Sequence, residues 1–480
     1  MKIRAEVGLS FDDVLLVPKR SSIRSRSLVQ TGTTLARGLE MHIPVISANM
    51  DTVTEARMAI AMAQAGGIGI LHRFMTIERM ADQVRKVKRA ENIVVEHPVT
   101  ILVDASVDDA RERMKETEVG GLMVVDTTGK LVGIVTARDV LLVLDGAASV
   151  CSVMTPVERM IVAREGENMD SARQKLHEHR IEKLPLVDEA GFVKGLITAQ
   201  DIIKIEEHPH ATKDGRGRLK VGAAVGVRQD DIDRAAACVE AGADVLVVDI
   251  AHGHSDHTIR MVSTLKQRFP GTPVIAGNVA TPDGVQDLAD AGADAIKVGV
   301  GSGSICTTRI VTGFGVPQLT AIANCAEVGH KLGIPIIADG GIRTSGDLTK
   351  ALAAGASSVM LGNLLAGTEE APGAAFVREG RRYKVVRGMA SLSANIERRT
   401  LDKTEIAEEE WSEVVPEGVE AVVPYRGAVR DILHQLVGGL RSGMSYAGVE
   451  SIRDLWANAE FIRITSGGLR ESGAHDVSPI

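Results

Sequence analysis

Aromatic side chains are scarce in this chain: seven Phe, three Tyr and two Trp among 480 residues. So thin a supply makes a poor surface for stacking single-stranded bases. Basic residues are not in excess either. Fifty-five Lys and Arg face 63 Asp and Glu, a formal charge of −8, which leaves no electrostatic footprint for a nucleic-acid backbone. Cysteine occurs four times, at 151, 238, 306 and 325. That scatter forms neither a zinc spacing nor a disulfide framework and suits a reducing compartment. No run approaches the ~18 apolar residues of a membrane helix. The charged residues 2–6 lead into no apolar segment of signal-peptide length. The expectation is a cytoplasmic protein that partners neither nucleic acid nor membrane.

What is present is a globular composition, 44% apolar and 25% charged, with 49 Gly, in a chain long enough for two domains. Short β-branched runs ending in Gly, Asn or Asp recur at 43–50, 67–72, 219–227, 243–252, 273–280, 295–304, 334–342 and 357–365. Segments of helical spacing follow most of them, for example 229–241, 281–291 and 319–332. Alternating strands and helices imply parallel βα units, and eight units close a (β/α)8 barrel of TIM type. An open doubly wound sheet would call for G-x-G-x-x-G after an early strand, and none stands there.

More than 130 residues separate the second run from the third, too many for a connection, so an inserted domain is expected. The insertion repeats itself. Gly129-Lys130-Leu131-Val132-Gly133-Ile134-Val135-Thr136-Ala137-Arg138-Asp139 is echoed 62 residues later by Gly191-Phe192-Val193-Lys194-Gly195-Leu196-Ile197-Thr198-Ala199-Gln200-Asp201. This pattern resembles a tandem pair of cystathionine-β-synthase-type α+β domains. The resemblance implies a regulatory purine nucleotide, ATP or GTP, held at Thr136, Asp139, Thr198 and Asp201. Thr and Asp at this spacing equally cap a following helix. The division read from the sequence is barrel 1–92, insertion 93–208 and barrel 209–480.

After the sixth run stands Gly301-Ser302-Gly303-Ser304-Ile305-Cys306-Thr307-Thr308-Arg309. Glycines let backbone approach an anion, and Cys306 falls where barrel enzymes keep their chemistry, beyond a strand's C-terminal end. A thiolate there can attack an electrophilic carbon of a base, and Arg309 is expected to favour the thiolate. Cys151, Cys238 and Cys325 read as small hydrophobic residues. Other strand ends add Asp339 for ribose hydroxyls, Gly341, and Gly362-Asn363 for a phosphate; Asp249 and Asn278 close two further strands. His252 and His254 read as loop residues rather than metal ligands.

With Ser10-Phe11-Asp12-Asp13, Met50-Asp51-Thr52-Val53, the Cys306 loop, Asp339-Gly340-Gly341 and Arg387-Gly388-Met389, the chain resembles the IMP dehydrogenases and GMP reductases nearly end to end. The resemblance implies a purine 5′-monophosphate beside a nicotinamide cofactor, with Cys306 attacking C2 of the purine. It places Ser304, Asp339, Gly341, Gly362, Asn363, Gly388 and Met389 on the substrate and Asp249, Asn278 and Gly299 on the cofactor. It further implies potassium held at Gly301, Gly303 and Cys306, and a homo-oligomer, tetramer or octamer.

Dehydrogenases of the family carry an Arg-Tyr pair on a flap to activate water. The corresponding stretch here, within about 389–424, holds no Tyr between Met389 and Pro416, although Arg398 and Arg399 are present. Asn49, Thr312 and Ser445-Tyr446-Ala447-Gly448 resemble the reductase pattern. Val415-Pro416-Glu417-Gly418 and the tail Glu471-Ser472-Gly473-Ala474-His475-Asp476 resemble the dehydrogenase one. Leu392 stands where many reductases carry Glu, so Glu417 is nominated as the partner of Thr308, and Val386 replaces a Tyr that commonly touches phosphate. The expected activity is GMP reduction with NADPH. IMP dehydrogenation with NAD, or a catalytically weak nucleotide sensor, are the alternatives.

Overall fold

The structure, a computed structural model, describes residues 3–91, 95, 98–117, 119–394, 396 and 415–473. Arg398, Arg399 and the tail from Ala474 onward lie outside them. Eight strands close a barrel: β1 (Val45–Ser47), β2 (Ile68–Leu71), β3 (Val221–Val225), β4 (Val245–Asp249), β5 (Val274–Val279), β6 (Ala295–Val298), β7 (Ile336–Asp339) and β8 (Ser358–Leu361). Every neighbouring pair is parallel, β2 to β3 and β8 to β1 included. Each strand lies inside one of the eight runs read from the sequence. The runs overshoot because their final residues leave the ladder as loops at the barrel mouth.

The strands are nearly continuous in Val, Ile, Leu and Ala because both of their faces are buried. Outward residues such as Leu246, Val248, Ile296 and Ile336 pack with the surrounding helices. These include α1 (Ala56–Gln64), α2 (Ile77–Ala90), α3 (Asp230–Glu240), α4 (Asp256–Arg268), α5 (Pro282–Asp290), α6 (Gln318–Leu332) and α7 (Ser345–Ala353). Inward residues Ile46, Ile68, Ile70, Ala224, Val245, Val247, Ile275, Ile337 and Met360 form a second cluster with Leu35, Ala36, Leu39 and Met41. The latter four belong to a hairpin of strands Thr33–Ala36 and Leu39–Met41. Its fully buried Leu35 and Ala36 stopper the lumen at the end where the strands begin. Polar chemistry is thereby confined to the opposite end.

A second compact unit comprises residues 91–209 and 215–218. One of its sheets joins Thr100–Leu102, Gly121–Val125, Leu131–Thr136 and Thr155–Pro156, the other Ala163–Arg164, Lys183–Val187 and Val193–Thr198. The two copies of the repeat fold alike. Asp126 Oδ1 accepts the N–H groups of Thr128 and Lys130 (2.8 and 3.0 Å), and Asp188 Oδ1 accepts those of Ala190 and Phe192 (3.0 and 2.9 Å). Their hairpin tips meet where Leu131 N–H donates to Gly191 O at 3.0 Å. Met123, Leu131, Ile134 and Leu196 form a shared core.

The barrel fastens its own two ends of the interruption with a buried ion cluster. Lys88, in the last turn of α2, is 4% exposed. Its Nζ donates to Asp214 Oδ2 (3.0 Å) and to both oxygens of Asp244 (2.9 and 2.7 Å). Asp244 also accepts Val221 N–H at 2.8 Å. Burial raises the Asp244 carboxyl above its ordinary range, against the pull of Lys88, and Asp214 adds to the rise. Removing the ammonium leaves buried charge uncompensated, so Lys88→Met is expected to cost about 3–5 kcal/mol at neutral pH. A further rise of the native Asp244 pKa means that the folded state holds its proton more tightly than the unfolded state. The deficit is therefore recovered as pH falls through that raised value. Denaturant unfolding of the whole chain against pH measures both effects.

Candidate active site

Carboxylate, amide and ammonium groups converge where the strands end. Asp249 is the last residue of β4, Asp339 the last of β7, and Lys297 the third residue of the four-residue β6. Register aligns Asp249 with Gly277 and Gly277 with Lys297 across three strands. Glycine is required between them, since a Cβ at 277 would lie 2.6 Å from Lys297 O and 2.7 Å from Lys297 Cβ. Lys297 is 2% exposed, and its Nζ lies 2.6 Å from Asp249 Oδ1, 2.6 Å from Asp339 Oδ2, and on Asn278 Oδ1. Asn49 donates to Asp249 Oδ2 (2.8 Å), and Asn278 Nδ2 donates to Asp339 Oδ2 (2.9 Å) and Gly299 O (2.8 Å). Gly299, at φ +152°, leaves no space for a side chain, because a Cβ would fall 2.0 Å from Asp339 O.

The electrostatics follow from this packing. Burial acts to raise the Asp249 carboxyl, but the Lys297 ammonium, the Asn49 amide and Arg73 outweigh it and hold the group below the ordinary carboxylate range. Burial likewise acts to lower Lys297, and its two carboxylates prevail, lifting it above the usual lysine range.

Cys306 stands above this floor. Its Sγ donates to Thr308 Oγ1 at 3.1 Å, and Thr308 Oγ1 donates to Glu417 Oε2 at 2.8 Å. Backbone pairing sets that chain of groups. Thr307 N–H donates to Glu417 O (2.9 Å), Val419 N–H to Ile305 O (3.1 Å), Glu417 N–H to Ala390 O (3.1 Å) and Gly388 N–H to Val419 O (3.0 Å). Residues 388–391 are themselves tied down by Arg387, whose Nε donates to Asp51 Oδ2 at 2.6 Å in the loop after β1. Arg309 Nη2 donates to Val316 O at 2.7 Å, and among the described residues the hydrogen-bond partner of the thiol is Thr308.

A cavity of about 410 Å³, within the usual range of ligand pockets, gathers these groups. Asn49, Arg73, Asp249, Asn278, Lys297, Gly299, Gly301, Ser302, Gly303, Cys306, Thr308, Asp339, Gly388, Met389 and Glu417 all line it. Ser304, Gly341, Gly362 and Asn363 do not. Ser304 is exposed, and Ser302 lines the cavity in its stead, its hydroxyl donating to Asp339 O at 3.1 Å. Gly362 lies directly behind the lining, facing Met50 Sδ, and Gly341 faces Phe11. Leu392 is 41% exposed and Val386 fully buried, both off the cavity. His254 binds Asp287 at 2.7 Å, and the described residues form no cluster of three metal-ligating side chains. Thr136 and Asp139 bind each other, Thr136 N–H and hydroxyl both donating to Asp139 Oδ2 (2.8 and 2.7 Å) at a helix start. Thr198 ends the equivalent strand, and Asp201 lies in the helix that follows.

Lys297, Ser302 and Arg73 escaped the sequence reading. Lys297 carried a signal, a lone charge inside the apolar strand Ala295-Ile296-Lys297-Val298. Burying it demands partners.

A family description, "IMP dehydrogenase / GMP reductase domain", matches residues 8–475. The chain is 54% identical to the inosine-5′-monophosphate dehydrogenase of Nitrosopumilus maritimus over 98% of both chains. It is 50% identical to the GMP reductase of Leishmania major, again over 98% of each. The crystal structure of a cysteine-to-alanine GMP reductase from Trypanosoma brucei with guanosine 5′-monophosphate superimposes with a TM-score of 0.91, at 47% identity over 98% of both chains. The chain therefore belongs to the IMP dehydrogenase/GMP reductase family, oxidoreductases that act on purine nucleotides with a nicotinamide cofactor.

Proposed function

We propose that this protein is a GMP reductase, converting GMP to IMP and ammonia with NADPH. The observation that carries the reading is the hydrogen-bonded chain Cys306–Thr308–Glu417 on the cavity wall, in a protein whose flap sequence holds no Tyr. A dehydrogenase must activate water against the covalent purine. A reductase must protonate a departing amine and keep water out, and a hydroxyl backed by a carboxyl suits the first of those tasks.

Cys306 Sγ forms a bond to purine C2, the ring taking up the electron pair. Thr308, backed by Glu417, passes a proton to the exocyclic nitrogen as the C2–N bond breaks, and ammonia leaves. A bound nicotinamide would supply the hydride that C2 needs; the C2–S bond then breaks to return the Cys306 thiolate and IMP. Asp339 accepts the ribose hydroxyls and Gly388 and Met389 lie beside the base, while the phosphate extends beyond the cavity lining toward Ser304, Gly341, Gly362 and Asn363. Asp249, Asn278 and Gly299 face the cofactor, their oxygens an acceptor set suited to an amide N–H and hydroxyls. Carbonyl groups of Gly301, Gly303 and Cys306 suit a potassium ion. The repeated unit binds ATP or GTP around Thr136, Asp139, Thr198 and Asp201 and regulates the barrel, within a homotetramer or octamer.

IMP dehydrogenation is the second reading, favoured by the higher identity of relatives bearing that name. A paired absorbance assay separates the two. GMP with NADPH is expected to consume NADPH and release ammonia, and NADH formation from IMP with NAD and potassium as the sole activity would overturn the proposal. Thr308→Val and Glu417→Gln are each expected to lower kcat by roughly 10²–10⁴-fold, and Cys306→Ala to abolish turnover while sparing GMP binding.

Thiol alkylation gives an independent check. Burial pushes the Cys238 thiol up to about 11 and the Cys325 thiol up to about 12, so both are expected to resist iodoacetamide at pH 7.5. Cys306 and the exposed Cys151 are expected to react, and GMP to protect Cys306 alone, as read by peptide mass spectrometry.

A further inference from the structure

We propose that Lys297 is the positioning residue of this active site, holding Asp339 with one carboxylate oxygen turned to the ribose while tying it to the cofactor-facing Asp249. The inference rests on reading the cavity as a purine nucleotide and nicotinamide site. An ammonium has three N–H donors, and the three acceptors around Lys297 Nζ are Asp249 Oδ1, Asp339 Oδ2 and Asn278 Oδ1. None is left for a ligand. Lys297 therefore acts through its partners and does not itself touch the reacting atoms.

What it does to those partners is asymmetric. Asp249 has both oxygens engaged, one on Lys297 and one on Asn49. On Asp339, Lys297 and Asn278 share Oδ2, and Oδ1 accepts no hydrogen bond among the described residues. One oxygen is thus anchored and the other presented, in a carboxylate whose side chain is 23% exposed. Without the ammonium, two carboxylates that now converge on a single nitrogen would repel each other. Asp339 would lose both its charge balance and its orientation. The charged groups facing the pair from neighbouring elements are Arg73, which acts on Asp249, and, across the cavity, Glu417.

Binding of sugar-modified nucleotides to the full-length protein tests this. Dissociation constants are measured for GMP and for 2′,3′-dideoxy-GMP with the unaltered protein, K297M and K297R. A hydrogen bond to a charged group is worth roughly 10–100-fold in affinity, so the unaltered protein is expected to prefer GMP by at least that factor. K297M is expected to bind the two nucleotides nearly equally, its loss falling on GMP alone, and its KM for the cofactor to rise through Asp249. K297R, which keeps the charge, is expected to retain a preference, and K297Q replaces K297M should the latter fail to fold. A general loosening of the site would weaken both nucleotides alike and leave the preference intact. That result overturns the role of Lys297 alone. Failure of the unaltered protein to bind GMP or IMP overturns the functional reading and this inference with it.

Discussion

The buried ammonium of Lys297 is the constraint around which the active end of the barrel is arranged. A charge removed from water must be matched by partners, and β4, β5 and β7 each contribute one: Asp249, Asn278 and Asp339. The match fixes more than charge. Asn278 is gripped at both ends of its amide, Gly277 must lack a side chain for β5 to approach β6, and Asn49 joins from the loop after β1. Polar groups that would individually be costly in a packed barrel become a rigid floor once every member is satisfied.

Above the floor the organising force is backbone pairing. Glu417 is 109 residues from Thr308 in sequence, yet the N–H of Thr307 binds its carbonyl and Val419 binds Ile305. The segment that returns from the flap is thus zipped to the cysteine loop as a short antiparallel ladder around Cys306 and Gly418. A side chain placed by main-chain bonds on both sides keeps its geometry without help from its own contacts. The Arg387–Asp51 pair does the same for the other root of the flap.

Much of this was legible in the sequence, and the reasons differ by element. The eight barrel strands showed because both faces are buried, leaving β-branched runs that only turn residues interrupt. The repeat showed because the Gly-to-Asp turn and Thr-x-x-Asp helix start recur together. Glu417 was reached by elimination, since Leu392 offered no carboxyl. Lys297 was passed over because a motif search follows loops, whereas this residue sits inside a strand and matters through what it neutralises. Ser304 and Ser302 could not be ranked, because their difference is one of direction in a loop. Arg309 was assigned by proximity in sequence, and the turn at Gly313 carries the chain so that its guanidinium meets Val316.

The hairpin that stoppers the lumen bears on traffic. Leu35, Ala36, Leu39 and Met41 join the inward residues of the strands in one apolar plug from the lower rim to Met360, so the lumen offers a small polar molecule no passage. Traffic to and from the cavity at Cys306 is therefore confined to the end where the strands finish, beside residues 388–390 and 417–418. Substrate and product then share one doorway, so that product must clear it before the next substrate enters.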